Sequence, residues 1–102
     1  MELYQAEWCP YSHAVRQRLT ELGVDIYLRQ VPAEQEDRDE LEQVAGTREI
    51  PTLVTDEGET FTGEKEILPW LDLCFEERRD ARRHRAKARK EVPDFAEVRS
   101  TV

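Results

Sequence analysis

The apolar positions of this chain fall into short runs whose period alternates between strand-like and helix-like. Residues 2–5 place Leu3 between polar neighbours, a short strand. From Pro10 onward Ala14, Val15, Leu19 and Leu22 form one helical stripe, and Gly23 offers the left-handed stop that follows a helix. Val24, Ile26 and Leu28 alternate with Asp25, Tyr27 and Arg29, which predicts a strand ended by Pro32. Residues 33–45 are acidic, and only Leu41, Val44 and Ala45 make an apolar stripe, so a helix buried along a narrow seam is expected, stopped by Gly46. Two β-rich runs, 50–55 and 60–62, flank the turn residues Asp56, Glu57, Gly58 and Glu59, which predicts a hairpin. After Gly63 the positions Ile67, Leu68, Leu71, Cys74 and Phe75 return to helical spacing. Helix formers continue through an Arg-rich run, so one helix is predicted to about Lys90.

The order β-α-β-α-β-β-α implies an α/β fold with a mixed four-stranded sheet. A crossover helix makes its flanking strands parallel, and a tight turn makes its pair antiparallel. Helices then cover both faces, and an extended basic helix closes the chain. The expected organisation is a domain over residues 1–75 and a basic helical extension and tail over 76–102. The last stretch, with Val92, Phe95 and Val98, reads either as docking weakly or as staying unfolded.

Composition sharpens this picture. A length of 102 residues suits one domain. With 38% hydrophobic and 37% charged residues the core must be small. No window approaches the roughly 20 apolar residues of a membrane span, and Met1-Glu2-Leu3-Tyr4 is no secretory leader. A soluble, cytoplasmic and monomeric protein is expected. The net charge of −8 is unevenly spread: residues 1–75 sum to −11, while 76–90 hold eight basic residues against three acids. An acidic body argues against nucleic-acid binding except through the tail. The basic run has four readings: a solvated helix, a segment folded back on the acidic body, a docking site for a partner protein, or a weak site for nucleic acid or an anionic surface.

The two cysteines lie 65 positions apart, and neither a disulfide framework nor a metal site follows from them. Cys74 falls on the core stripe beside Leu71 and Phe75, where a buried thiol is inert. Cys9 is different. Pro10 is at home at the first position of a helix, which makes Cys9 its N-cap. There a thiol meets free backbone N–H groups and the positive end of the helix dipole, both of which favour the nucleophilic thiolate.

Cys9-Pro10-Tyr11-Ser12-His13 after a strand, Ile50-Pro51-Thr52 before a hairpin, and Thr62-Gly63 leading into Glu66-Ile67-Leu68 together resemble the glutaredoxins, of thioredoxin-like fold. They also resemble the related N-terminal domain of glutathione S-transferases. The resemblance covers about residues 2–73, and a full transferase has a helical second domain for which this length leaves no room. It implies Cys9 as the catalytic thiol and glutathione as co-substrate. Tyr11 then flanks the sulfur, Pro51 is cis, and the backbone of Ile50 pairs with the cysteine unit of glutathione. Gly63 and Glu64 bind its γ-glutamyl end through backbone N–H groups. From the sequence alone Pro51 reads equally as a trans proline at a strand start.

The departures from the family pattern decide mechanism. Ser12 stands where dithiol members have a second cysteine, so Cys9 closes no local disulfide and a monothiol cycle remains. Ser12 is then expected to donate a hydrogen bond toward the sulfur, or else to serve only the helix start. The family lysine three residues before the cysteine is Ala6, with Glu7 next to it. Either Arg48 replaces that lysine, or the partner is another low-molecular-weight thiol; the basic run is a further candidate for offsetting the acidity. Trp8 reads as a second flanking ring or as loop packing, and His13 as structural.

The sequence thus predicts a monothiol oxidoreductase acting on small-molecule or protein mixed disulfides. The alternatives are a non-catalytic module binding glutathione or an iron–sulfur cluster, and an adaptor acting through its basic tail.

Overall fold

β1 (Glu2–Gln5) lies inside a four-stranded sheet of order β2-β1-β3-β4. The computed structural model describes residues 1–92. α1 (Pro10–Leu22) carries the chain from β1 to β2 (Tyr27–Gln30), and the two strands run parallel. β3 (Thr52–Val54) is antiparallel to β1, and β4 (Thr60–Thr62) is antiparallel to β3. α3 (Glu64–Cys74) and α1 pack on the Leu3 face. There Leu3, Val15, Leu19, Leu22, Leu53, Ile67 and Leu71 form the buried cluster, each side chain contributing about 1.5–3 kcal/mol of burial. Tyr4 points to the other face. A cavity of about 130 Å3 there is lined by Tyr4 and by Leu41, which is buried on α2 (Asp39–Ala45). Helices therefore cover both faces, and the fold is the expected thioredoxin-like one.

Three elements differ from the sequence expectation, each for a local reason. β2 begins at Tyr27 rather than near Val24. Gly23, at φ 67°, closes α1 in the left-handed conformation. The N–H of Val24 then donates to Leu19 O at 3.0 Å and is spent on the helix end.

The helix expected over 33–45 is shorter. A 3-10 turn (Gln35–Asp37) precedes α2, with Arg38 between them. Arg38 is only 6% exposed, and its guanidinium donates to the carbonyls of Pro32, Ala33 and Arg48 at 3.0–3.1 Å. The seam that Leu41 buries is too narrow to hold a longer helix, and a buried cation fastens the segment instead.

The predicted single helix to Lys90 is two. α3 stops at Cys74, Phe75 is extended at φ −133° and ψ 144°, and α4 (Ala81–Glu91) starts afresh. Phe75 packs edge-on against Trp70, with ring centroids 6.3 Å apart. The N–H of Arg78 donates to Glu21 O at 3.0 Å, which returns the chain to the C-terminal end of α1. α4 then buries Ala81 beside α1. Glu21, 5% exposed, receives Arg18 Nη1 at 2.7 Å and Arg85 Nη1 at 2.9 Å, and Glu77 bridges the same two guanidinium groups. Of the four readings of the basic run, the described residues combine the first two: Arg85 is folded back on the acidic body, while Arg82, Arg83, Lys87, Arg89 and Lys90 are exposed on a solvated face. The tail positions Phe95 and Val98 lie outside the described residues. Among the described residues no helix is long and apolar enough to cross a membrane.

Candidate active site

All four strands bring their connections to one end of the sheet. β1 and β2 finish there, β3 starts there with Thr52 opposite Tyr4, and β4 ends there with Thr62 opposite Thr52. The loop before Cys9, the loop before Pro51 and the start of α3 therefore meet at that end.

Cys9 Cα has extended geometry, φ −82° and ψ 117°, and Pro10 follows at the first helical position. The turn is closed by the N–H of Cys9 donating to Ala6 O at 3.2 Å, and α1 begins with His13 N–H donating to Cys9 O at 3.0 Å. The backbone N–H of Ser12 donates to Cys9 Sγ at 3.4 Å. Cys9 is thus the N-cap that the Cys-Pro pair predicted, with its sulfur at the positive end of the α1 dipole. The thiol is mostly covered, at 4% exposed, while the neighbouring rings of Trp8 and Tyr11 are half exposed.

Ser12 corrects one expectation. Its hydroxyl is fully buried and has no hydrogen-bond partner among the described residues; the donor to sulfur is its backbone N–H. Opposite, Ile50–Pro51 is a cis peptide bond, and no hydrogen bond among the described residues engages the N–H or carbonyl of Ile50. Gly63, at φ 85° and ψ 153°, turns the chain from β4 into α3, a conformation that favours glycine. Its N–H is already donated to Pro51 O at 2.8 Å, so the expected contribution of Gly63 to a ligand is withdrawn. The open N–H groups at the α3 start are those of Glu64 and Lys65.

Arg48 is not the missing lysine. Its guanidinium faces α2, bonding Asp39 at 2.7 Å, Glu42 at 2.5 Å and the carbonyl of Glu36 at 2.8 Å. The residue that answers Glu7 is Arg16, at 3.1 Å from its carboxylate; Arg16 also bonds Gln5 Oε1. Sequence reasoning missed it, although a position seven residues after Cys9 lies on the same side of α1. His13 is exposed on the first turn. Cys74, expected in the core, is exposed, because α3 turns Ile67 and Leu71 inward instead. Among the described residues no group of three or more His, Cys, Asp or Glu is placed to hold a metal ion. A cavity of about 450 Å3, lined by Met1, Glu2, Tyr27, Val54, Thr55 and Asp56, opens at the far end of the sheet, away from Cys9.

A sheet of this order with a cysteine capping the first helix and a cis proline across from it defines the thioredoxin-like redox class. Within that class the family description "Glutaredoxin" matches residues 1–59, and the chain belongs to the glutaredoxin family. Among solved structures, glutathione S-transferase 1-6 from Anopheles dirus species B is similar at 22% identity and TM-score 0.66, over 74% of this chain and 36% of that one. A class Gtt2 glutathione S-transferase of Vibrio parahaemolyticus is similar at 25% identity and TM-score 0.63, over 76% of this chain and 40% of that one. A delta-class glutathione transferase of Nilaparvata lugens is similar at 20% identity and TM-score 0.64, over 78% of this chain and 38% of that one. The chain thus matches well under half the length of these transferases. No curated protein sequence matches it significantly.

Proposed function

We propose that this protein is a monothiol thiol–disulfide oxidoreductase that reduces mixed disulfides of glutathione or a related low-molecular-weight thiol through Cys9. The observation that carries the reading is the Cys9 sulfur at the start of α1, accepting the Ser12 backbone N–H across the sheet end from the cis Ile50–Pro51 bond. A thiolate held there is stabilised by a fixed N–H and by the helix dipole without having to reorganise.

In the reaction Cys9 Sγ attacks the glutathione sulfur of the mixed disulfide. The S–S bond breaks, the substrate leaves as a thiolate that takes a proton from water, and Cys9–S–S–glutathione remains. A second glutathione thiolate attacks the glutathione sulfur of that adduct, releasing glutathione disulfide and the Cys9 thiolate. The substrate sulfur is reduced to a thiol, the incoming glutathione is oxidised to disulfide level in its place, and the glutathione carried in by the substrate stays at disulfide level throughout. The open N–H and C=O of Ile50 suit strand-like pairing with the glutathione cysteine. The N–H groups of Glu64 and Lys65 suit its γ-glutamyl carboxylate, and the Tyr11 and Trp8 rings offer a flank. With Ser12 at the second motif position the cycle has no internal resolving thiol. Two unbridged thiols fit the cytoplasm.

The test is turnover of a glutathione mixed disulfide in a coupled assay. Cys9→Ser is expected to fall to the uncatalysed rate and Cys74→Ser to keep the parent rate. Turnover retained by Cys9→Ser, or lost with Cys74→Ser while the fold persists, would overturn the assignment.

A further inference from the structure

The end of the sheet that holds Cys9 carries more carboxylates than cations, and its guanidinium groups are committed. Residues 31–50 leave β2 and return to β3 at this end, carrying seven carboxylates against two guanidinium groups. Of those two, Arg38 is buried on backbone carbonyls and Arg48 is bound to Asp39 and Glu42. Arg16 is paired with Glu7. The first turn of α3 adds Glu64 and Glu66 against Lys65. Among the described residues Glu49, Glu64 and Glu66 enter no ion pair, Lys65 is the free cation here, and His13 and Tyr11 face solvent from the first turn of α1. The basic segment begins at the opposite end of α1, where Arg85 is held by Glu21 and Glu77.

Two carboxylates of the chain itself, Glu64 and Glu66, lie in the first turn of α3 beside its open N–H groups. The start of α3 favours negative charge, and Glu64 and Glu66 already supply it. A disulfide bearing carboxylates approaches against this field, and one bearing ammonium groups approaches with it.

Resting on the Cys9 chemistry above, we infer that the site selects disulfides by charge and prefers small aminothiol disulfides over carboxylate-bearing ones. The step is the same exchange: Cys9 thiolate attacks one sulfur of the symmetrical disulfide, a Cys9–aminothiol disulfide forms, and one aminothiol leaves as thiolate and is protonated by water. Glutathione or a related low-molecular-weight thiol then attacks the aminothiol sulfur of that adduct, releasing their mixed disulfide and the Cys9 thiolate, so one aminothiol is gained for each reducing thiol oxidised.

The experiment uses the full chain with Cys74→Ser and three disulfides of equal size, bis(2-aminoethyl), bis(2-hydroxyethyl) and bis(2-carboxyethyl). The rate of Cys9 adduct formation is followed by mass spectrometry and divided by the rate with 2-mercaptoethanol, which removes intrinsic reactivity. At low ionic strength the normalised rates should fall in that order, spanning about tenfold or more, and the spread should shrink to about twofold near 1 M salt. Glu49→Gln combined with Glu64→Gln and Glu66→Gln should narrow the spread at low salt. Glu57→Gln, in the hairpin turn at the far end, should leave it unchanged. Equal normalised rates, or a faster carboxylate disulfide, would overturn charge selection while leaving the Cys9 assignment standing. No adduct with any of the three would overturn the Cys9 assignment and this inference with it.

Discussion

A hydroxyl enclosed without a partner is a cost that a protein does not keep without reason, and Ser12 keeps one three residues from Cys9. In the resting structure the hydrogen bond to Cys9 Sγ comes from the Ser12 backbone, which any residue at that position supplies. Burying an unpaired hydroxyl costs about 1–3 kcal/mol. Ser12→Ala removes that cost and leaves only a small void. Its urea midpoint is therefore expected to equal or exceed the parent's, with a gain of up to about 1 kcal/mol, and its turnover on a mixed disulfide should stay within about threefold of the parent rate. Loss of stability beyond about 1 kcal/mol would mean the hydroxyl is hydrogen-bonded in solution. A tenfold loss of turnover with stability intact would mean it reaches the sulfur only in the reacting state. Cys9 itself was legible in the sequence because Pro10 marks a helix start and so fixes what kind of position precedes it. The silent hydroxyl of Ser12 was not, because one spacing serves a side-chain donor and a backbone donor alike.

At the scale of elements, the segment between β2 and β3 is held by a side chain more than by packing. α2 buries one residue, Leu41, and is preceded by Arg38, whose buried guanidinium donates to three backbone carbonyls that without it lose their protein donor. Replacing it with alanine leaves those carbonyls unpaired, and Arg38→Ala is expected to lower stability by about 2–4 kcal/mol. Hydrogen exchange should accelerate first over α2, and Leu41 should lose protection before Leu3. A loss below about 1 kcal/mol would show that water replaces the guanidinium at little cost. Arg38 hides in the sequence as one of several charges in an acidic stretch, and nothing in its spacing marks it as buried. The break between α3 and α4 hides for the opposite reason: residues 76–80 are compatible with a helix, so local propensity predicts continuity. Tertiary contacts override it, with Phe75 turned onto Trp70 and the Arg78 N–H taken by Glu21. The hairpin and the β1-α1 junction were readable because turn residues and the Cys-Pro pair fix backbone geometry by themselves.

Across the whole molecule, the charge imbalance is resolved at one end and left open at the other. At the C-terminal end of α1, Arg18 and Arg85 sit between Glu21, Glu77 and Asp72 and tie α4 to the body. Burial pushes the Glu21 carboxyl up, but hydrogen bonds from Gln17, Arg18 and Arg85 overcome it and hold it below its ordinary range. Hydrogen bonds from Arg85 and Arg18 pull the Glu77 carboxyl down from about 4.5 to about 2. A carboxyl depressed in the folded state contributes stability above its unfolded value and loses that contribution as pH falls toward its folded value. The Glu77 contribution is therefore complete near neutrality and declines from about pH 4.5 toward pH 2. Glu77→Gln should unfold at lower urea than the parent at pH 7. The gap between the two midpoints should close as pH falls through that window, and it should shrink in concentrated salt because Glu77 is partly exposed. A gap that stays constant down to pH 3 would assign the loss to packing rather than to the ion pairs. At the Cys9 end Arg48 answers Asp39 and Glu42 and Arg16 answers Glu7, but among the described residues Glu49, Glu64 and Glu66 enter no ion pair, so carboxylates stay in excess there while α4 is held by charge at the far end of α1.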